Sequence, residues 1–321
     1  MKNKIFTLIR ISVSLGLLGL LFWLMRSEFG KIWGTLYASD PWVILLAVVL
    51  YIATVIFLSY RLKLIFAGEN LFLSFWESVQ LTYIGYFFNN FLPTAVGGDV
   101  MKAHYASTAN QKRMQSYASV FMDRFLGLYS FLIIAAGALI INREGFQITL
   151  VKKMVFVFLI VGVAMFLIIT NKTVAVFMER FFEKVKMFQL GKRLEDLYGI
   201  VHDYRNRRDI IAKAIMVSFV GQCVYFIVIY LLFAAVGQRI GIGNVFLIMP
   251  VVTFISMFPS LGGLGVREGA MVALFAPLAG KENAFAASLL LLFLLFIISF
   301  IGGIIYFWWG FIARRKGIKN G

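Results

Sequence analysis

The stretch NNFLPTAVGGDVMK, residues 89–102, interrupts an otherwise apolar chain with a proline and a pair of glycines. A second stretch, SMFPSLGGLGVREG at residues 256–269, has a similar composition. The first contains F-L-P-x-x-x-G-G at 91–98, and the second contains F-P-x-x-G-G at 258–263. Because proline and glycine end or kink helices, each stretch predicts a break inside an apolar helical segment.

The segments around these breaks predict an all-α polytopic membrane protein. Of the 321 residues, 61% are hydrophobic and 14% are charged. Several uniformly apolar runs approach or exceed the ~20 residues with which a helix crosses a bilayer, whereas strands of a membrane barrel alternate apolar and polar residues. The first run is too long for a signal peptide and is interpreted as a retained span. We predict about six full spans, near 5–25, 41–60, 116–141, 154–170, 214–236 and 284–312.

Charge indicates how the chain is oriented. The net charge of +16 favours a membrane protein with basic cytoplasmic loops over a nucleic-acid-binding protein. Residues 171–213 contain ten basic and six acidic residues, and both termini are also basic. All three regions can be cytoplasmic if the broken regions 76–103 and 245–280 each return to the side from which they enter. Two full crossings in each broken region would satisfy the same charges.

The expected domain organisation is a single transmembrane domain of residues 1–321. Its first half, 1–170, and its second half, 214–321, each contain one broken re-entrant-type helical hairpin, and the two hairpins form an inverted repeat. Phenylalanines at helical spacing in 173–190 predict a basic amphipathic helix on the inner membrane surface within the cytoplasmic linker 171–213. The predicted location is the inner (cytoplasmic) membrane of a bacterium, with both termini cytoplasmic.

Residues at the breaks and charged residues inside a span form the candidate site. Helix N-terminal ends attract anions, and non-helical backbone persists at membrane depth where it is buried or lines a cavity. An arginine inside a span usually faces a partner or a cavity. The candidate lipid-binding or translocation residues are Asn89, Asn90, Pro93, Gly97, Gly98, Asp99, Lys102, Asp123, Arg124, Pro259, Gly262, Gly263, Gly265, Arg267 and Glu268.

Other residues carry weaker signals. Arg61 and Lys63, at the inner end of the second predicted span, are interpreted as surface anchors. Gln222 and Tyr225 are weaker candidates for the site. The glycines permit either close approach of a ligand or close packing of helices.

No metal or cofactor is expected. Cys223 is the only cysteine, and His104 and His202 are too far apart in the sequence to form a metal-ligand motif. The sequence contains no G-x-S-x-G, P-loop or H-E-x-x-H motif, so an enzyme is not the first hypothesis.

Three motifs resemble those of the lysylphosphatidylglycerol synthase transmembrane-region family, also described as flippase-like membrane proteins. They are NNFLPTAVGGDVMKAHY at 89–105, ASVFMDRFLGL at 118–128 and FPSLGGLGVREGAMV at 258–272. The resemblance implies lipid translocation. In bifunctional members, a membrane region moves aminoacylated phosphatidylglycerol between leaflets and a soluble domain transfers the amino acid from a tRNA. This chain ends soon after its last span, so we expect that domain to be absent. Stand-alone relatives are associated with polyprenyl-linked sugars and hopanoids.

The first functional hypothesis is therefore a flippase or scramblase for an anionic phospholipid or a polyprenyl-linked lipid. One alternative is an intramembrane enzyme that modifies a lipid headgroup, with Asp123 or Glu268 as acid or base. Another is a non-catalytic partner of a glycosyltransferase or lipid synthase that docks through residues 171–213. The expected partners are membrane lipids and no nucleic acid, and a homo-oligomer is compatible with the sequence.

Overall fold

The computed structural model describes residues 16, 19–20, 22–23, 25–91, 96–110, 112–141, 149–170, 199–257 and 263–315. The regular secondary structure in these residues is helical, so the predicted all-α class is confirmed. The α-helices whose bounds are described are α1 (Phe29–Tyr37), α2 (Pro41–Gly68), α3 (Phe75–Phe91), α4 (Gly97–Asn110), α5 (Arg113–Ile141), α6 (Thr149–Thr170), α7 (Arg208–Ala235), α8 (Ile242–Ser256), α9 (Val266–Ala279) and α10 (Lys281–Arg315).

Four stretches are long and apolar enough to cross a membrane. They are Pro41–Gly68, Arg113–Ile140, Arg208–Ala235 and Lys281–Trp308, and they belong to α2, α5, α7 and α10. Each agrees with a predicted span.

Three other regions considered in the sequence analysis have different outcomes in the structure. The first predicted span, 5–25, is described only in part, and its described residues 16, 19, 20, 22 and 23 are helical. The amphipathic helix predicted for 173–190 lies outside the described residues. The segment 26–40, which lies between the first two predicted spans, contains the helix α1.

Local capping explains where two helices begin. The Asp40 carboxylate accepts hydrogen bonds from the backbone N–H groups of Trp42 at 2.8 Å and Val43 at 3.3 Å, which caps α2. Before α3, the Ser74 N–H donates to Glu77 Oε2 at 2.7 Å, and the Glu77 N–H donates to Ser74 Oγ at 3.2 Å. This reciprocal pair is the capping box that S-x-x-E predicts.

Two pairs of short helices lie at the quoted stretches. The first pair is α3 and α4, with 17 and 14 residues, and the second pair is α8 and α9, with 15 and 14 residues. The two helices of each pair pack against each other. At 1.5 Å per residue a 14-residue helix is about 21 Å long, which is less than the roughly 30 Å of a hydrocarbon core.

Helices from the two halves of the sequence pack together rather than forming separate bodies. α2 packs along α7, α3 packs against α10, and α5 packs against both α7 and α8. The largest apolar cluster accordingly joins side chains of both halves, such as Tyr51 with Phe226 and Met271. This arrangement brings the two helix pairs towards the same interior.

A buried tyrosine fixes the chain after the undescribed linker. The Tyr204 hydroxyl donates to the Ile65 carbonyl at 2.9 Å and forms a hydrogen bond with Ser119 Oγ at 3.0 Å. Burial raises the pKa of the Tyr204 hydroxyl. Arg207 lies 3.6 Å from the Glu69 carboxylate beside it. The N-terminal end of α7 is thereby held against α2 and α5.

Candidate functional site

A cavity of about 310 Å³ lies between the two helix pairs. Its wall includes side chains from α2, α3, α4, α5, α7, α8, α9 and α10. The sequence-predicted candidates that line it are Asn89, Asn90, Asp99, Lys102, Asp123, Arg124, Gly263 and Arg267. The candidates Pro93, Pro259 and Gly262 lie outside the described residues.

A buried ion pair joins α2 to α5 in the cavity wall. Arg61 Nε donates to Asp123 Oδ1 at 2.7 Å, and both side chains are only 6% exposed. Arg61 Nη1 also donates to Ser218 Oγ of α7 at 3.2 Å. The interpretation of Arg61 as a surface anchor is wrong, because α2 continues to Gly68 and places Arg61 about two turns before its end.

Gly127 provides the space that this guanidinium occupies. A Cβ atom at Gly127 would lie 2.7 Å from Arg61 Nη1, which is too close for an undisturbed contact. Gly127 follows Asp123 by four residues, so both lie on the same face of α5. The sequence therefore places the carboxylate and the space for its partner side by side.

A second cluster, formed by Asp99, Lys102 and Arg124 and called the charged triad below, joins α4 to α5. Lys102 Nζ lies 3.5 Å from Asp99 Oδ1, and Arg124 Nη1 donates to Asp99 Oδ2. The Arg124 side chain is 28% exposed, more than the other two. One carboxylate is therefore shared by two cations, and one of these cations is accessible from the cavity.

The second helix pair carries a self-contained ion pair. The fully buried Glu268 accepts a 3.0 Å hydrogen bond from Arg267 Nε on Oε1, and another from Arg267 Nη2. Its Oε2 accepts from the backbone N–H of Gly265 at 2.6 Å. Gly263 and Gly265 have φ angles of 83° and 80°, a left-handed conformation that favours glycine. Glu268 thus fixes the start of α9 and neutralises Arg267.

The glycines of the first pair serve packing and capping. The Gly98 N–H donates to Asn89 Oδ1 at 2.8 Å, so it is not available to a ligand. A Cβ atom at Gly98 would lie 2.0 Å from the Gly85 carbonyl oxygen. Gly97 begins α4. At Gly98 the structure therefore supports close helix packing rather than close approach of a ligand.

Asn90 connects α3 to α10. Its Nδ2 donates to Ser299 Oγ and to the Leu295 carbonyl at 3.4 Å, and Ser299 Oγ in turn donates to the Tyr86 carbonyl at 3.3 Å. These contacts engage the N–H donors of the Asn90 amide within the helix bundle.

An uncharged polar surface forms another part of the cavity wall. Tyr51 lies between Tyr86 and Tyr225, with ring centroids 6.4 Å and 5.9 Å apart, respectively. Gln222 lies three residues before Tyr225 on the same face of α7. Gln222 and Tyr225, weak candidates from the sequence, both line the cavity.

Among the described residues, the charges at the cavity do not cancel. Four cations line it, Arg61, Lys102, Arg124 and Arg267, and they are paired with three carboxylates, Asp99, Asp123 and Glu268. Two of the carboxylates have one cation each, so the surplus positive charge belongs to the charged triad. An unpaired charge is costly in a membrane interior, and an anion bound there would stabilise it. Among the described residues, no cluster of His, Cys, Asp and Glu is suited to a metal ion.

Comparisons with known proteins place the chain in a family. The sequence model of the lysylphosphatidylglycerol synthase TM region matches residues 7–303. The chain is 27% identical to a UPF0104 membrane protein of Pyrococcus horikoshii, over 94% of the chain and 96% of that protein. It is 24% identical to a UPF0104 membrane protein of Methanothermobacter thermautotrophicus, over 87% of the chain and 88% of that protein.

A third relative, a UPF0104 membrane protein of Methanocaldococcus jannaschii, is 23% identical over 81% of the chain and 82% of its own length. No solved structure matches the chain. The family match covers nearly all of the chain and includes the three motifs that line or frame the cavity. The chain is therefore a multi-pass membrane protein that belongs to the lysylphosphatidylglycerol synthase transmembrane-region family.

Proposed function

We propose that this protein moves an anionic lipid between the two leaflets of a membrane by holding its headgroup in the cavity. The observation that carries this proposal is the surplus positive charge of the charged triad, which faces a cavity between two pairs of short helices. An anionic phospholipid or a polyprenyl-linked lipid phosphate has a charge that complements this surplus.

The short helices support a re-entrant arrangement. α3 begins soon after α2 ends, and α4 is followed directly by α5, so the first pair leaves and rejoins the same end of the long helices. The second pair does the same at the other end, between α7 and α10. In this proposal the two pairs form an inverted repeat whose breaks meet at the cavity, an arrangement used by transporters.

The size of the cavity supports headgroup binding. Small-molecule sites commonly have volumes of about 300–1,000 Å³, and this cavity lies at the lower limit. It can take a headgroup, whereas the acyl chains would stay in the lipid. Lys102 and Arg124 would bind the anion, and Asp99 would hold both cations when the cavity is empty.

An intramembrane enzyme is the weaker alternative. The two carboxylates considered as acid or base are already engaged, Asp123 by Arg61 and Glu268 by Arg267 and the Gly265 N–H. The proposed docking segment of a non-catalytic partner protein lies mostly outside the described residues. Transport therefore has the stronger support from the site.

Orientation and location are part of the proposal. The end that carries Arg205, Arg207 and Arg208 is rich in basic residues and would face the cytoplasm. Exposed tryptophans near the start of α2, Trp42, and near the start of α3, Trp76, fit the headgroup level of each leaflet. The relatives are archaeal, so the cytoplasmic membrane is proposed here without the bacterial assignment made from sequence.

Leaflet exchange in liposomes tests the proposal. Fluorescent phosphatidylglycerol in the inner leaflet becomes accessible to dithionite only when it changes leaflet. We expect the wild-type protein to accelerate this exchange, and Lys102→Ala or Arg124→Ala to slow it about tenfold or more, since each loses a charge-assisted contact. Lys63→Ala is the matched control, because Lys63 does not line the cavity. No acceleration by the wild type, or equal rates in all variants, would contradict the proposal.

A further inference from the structure

We infer that Gln222 and Tyr225 select a headgroup that carries hydroxyl groups beside its anionic group. This inference rests on the proposed lipid site and specifies what else the cavity binds. It is based on the uncharged polar part of the cavity wall, and it concerns two neighbouring side chains of α7.

Gln222 is buried without a hydrogen-bond partner among the described residues. Its side chain lines the cavity and the residue is only 5% exposed. An amide has two N–H donors and a carbonyl acceptor, and leaving them unsatisfied in a buried position is unfavourable. The cavity is therefore where the amide must find its partner.

Tyr225 adds a second group on the same face of α7. Its ring packs edge-on against Tyr51, with ring centroids 5.9 Å apart, and both side chains line the cavity. Within the described part of the chain, the Tyr225 hydroxyl forms no hydrogen bond. A phenol both donates and accepts, as does the amide three residues earlier, so the pair matches a ligand group that does both.

A hydroxyl is the ligand group that fits this surface. Neither residue is charged, so neither would compensate a second phosphate or an ammonium. One turn before Gln222 on α7, Ser218 accepts a hydrogen bond from Arg61, a cation that Asp123 already neutralises. The two cations that share one carboxylate, Lys102 and Arg124, come from α4 and α5, whereas this uncharged surface comes from α7. A headgroup that combines an anion with hydroxyls would contact both.

Such a site should reject an analogue that lacks the hydroxyls. A buried polar group that loses its ligand partner is left unsatisfied, and this penalty gives stronger discrimination than the loss of apolar contact. A glycerol headgroup and a ring-polyol headgroup both supply hydroxyl groups that could bind Gln222 and Tyr225.

Binding of three short-chain lipids to the purified full chain in detergent tests the inference. Dioctanoyl phosphatidylglycerol and dioctanoyl phosphatidylinositol carry hydroxyls on the headgroup, whereas dioctanoyl phosphatidylmethanol has the same phosphodiester charge and none. By calorimetry, we expect the wild type to bind at least one of the first two about tenfold more tightly than the third. Gln222→Leu and Tyr225→Phe should each reduce this preference to within about threefold.

Two controls separate the outcomes. Lys102→Ala should weaken binding of all three lipids by a similar factor and keep the preference, and Lys63→Ala should change neither. Equal binding of the three lipids by the wild type, or an undiminished preference in both α7 variants, would overturn the inference and leave the anion site standing. Failure of the wild type to bind any of the three would overturn the proposed function as well.

Discussion

The two helix pairs stabilise their breaks in different ways. In the second pair, Glu268 binds its neighbour Arg267 and the backbone of Gly265, so charge and turn are both satisfied within α9 and its N-terminus. In the first pair, Asn89 caps α4, and the Asp99 carboxylate reaches across to Arg124 of another helix. The second pair therefore compensates its charges with its own residues, whereas the first pair relies on Arg124 of α5.

This difference assigns different tasks to the two pairs. A neutral ion pair whose carboxylate is fully buried, next to left-handed glycines, makes a rigid frame. A carboxylate shared by two cations, one of which, Arg124, is 28% exposed, can instead exchange partners with an anionic ligand. The second pair therefore shapes the cavity, and the first pair provides the charge that a lipid headgroup would bind.

The largest expected effect is on stability, in the second pair. Glu268→Ala leaves Arg267 buried without its partner and the Gly265 N–H without its acceptor, which should destabilise the protein by about 3–5 kcal/mol. Asp99→Ala in the first pair should cost about 1 kcal/mol, because Arg124 is more exposed to the cavity. Thermal unfolding in detergent compares the loss of stability in the two variants. Similar losses for both variants would contradict the proposed division of tasks.

A smaller loss is expected at the contact between α3 and α4. Gly98→Ala would bring its Cβ atom to 2.0 Å from the Gly85 carbonyl oxygen, and backbone cannot yield as a side chain can. We expect destabilisation of about 1–3 kcal/mol, as in other overpacked sites. Gly269→Ala is the matched control in α9, because a Cβ atom there has no neighbour within 4 Å. An unchanged unfolding temperature for Gly98→Ala would show that α3 and α4 can move apart without loss of stability.

Gly127→Ala should act on the Arg61–Asp123 ion pair. The new methyl would displace the end of a flexible arginine rather than backbone, so we expect a loss of about 1–2 kcal/mol and slower leaflet exchange. Gly137→Ala lies on the same helix and has no neighbour within 4 Å of the added Cβ atom. Equal exchange rates for the two alanine variants would argue that Arg61 has no role in the cavity.

The smallest effect is a gain of affinity in the first pair. Asp99→Asn removes the carboxylate that competes with an anionic ligand for Lys102 and Arg124, so dioctanoyl phosphatidylglycerol should bind about fivefold more tightly. Calorimetry in detergent measures this change. Weaker binding by the variant would mean that Asp99 orients the cations for the ligand instead of competing with it.

Much of the site follows from local sequence signals. A charge inside an apolar run and a proline or glycine interruption are visible without tertiary structure, which is why Asp99, Lys102, Asp123, Arg124 and Arg267 are found by sequence and line the cavity. The capping box at Ser74 and Glu77 is equally local. The helix spans follow from hydrophobicity and length.

The missed features depend on residues that are distant in the chain. Arg61 looks like an anchor at the end of a span until Asp123, 62 residues later, is seen beside it. Gly85 and Gly127 make room for Lys102 and Arg61, which no periodicity reveals. Glu268 belongs to the predicted site, but its carboxylate accepts a hydrogen bond from the backbone N–H of Gly265.

The most direct test is to locate the phosphate of a bound lipid between the two pairs. Solid-state NMR can measure dipolar contact between the phosphorus of dioctanoyl phosphatidylglycerol and isotope-labelled arginine side-chain nitrogens. We expect a contact that disappears in Arg124→Gln but persists when Arg267→Gln and Glu268→Gln are combined, which removes both charges of the second pair. Loss of the contact in the double variant, with retention in Arg124→Gln, would contradict the assignment of anion binding to the first pair.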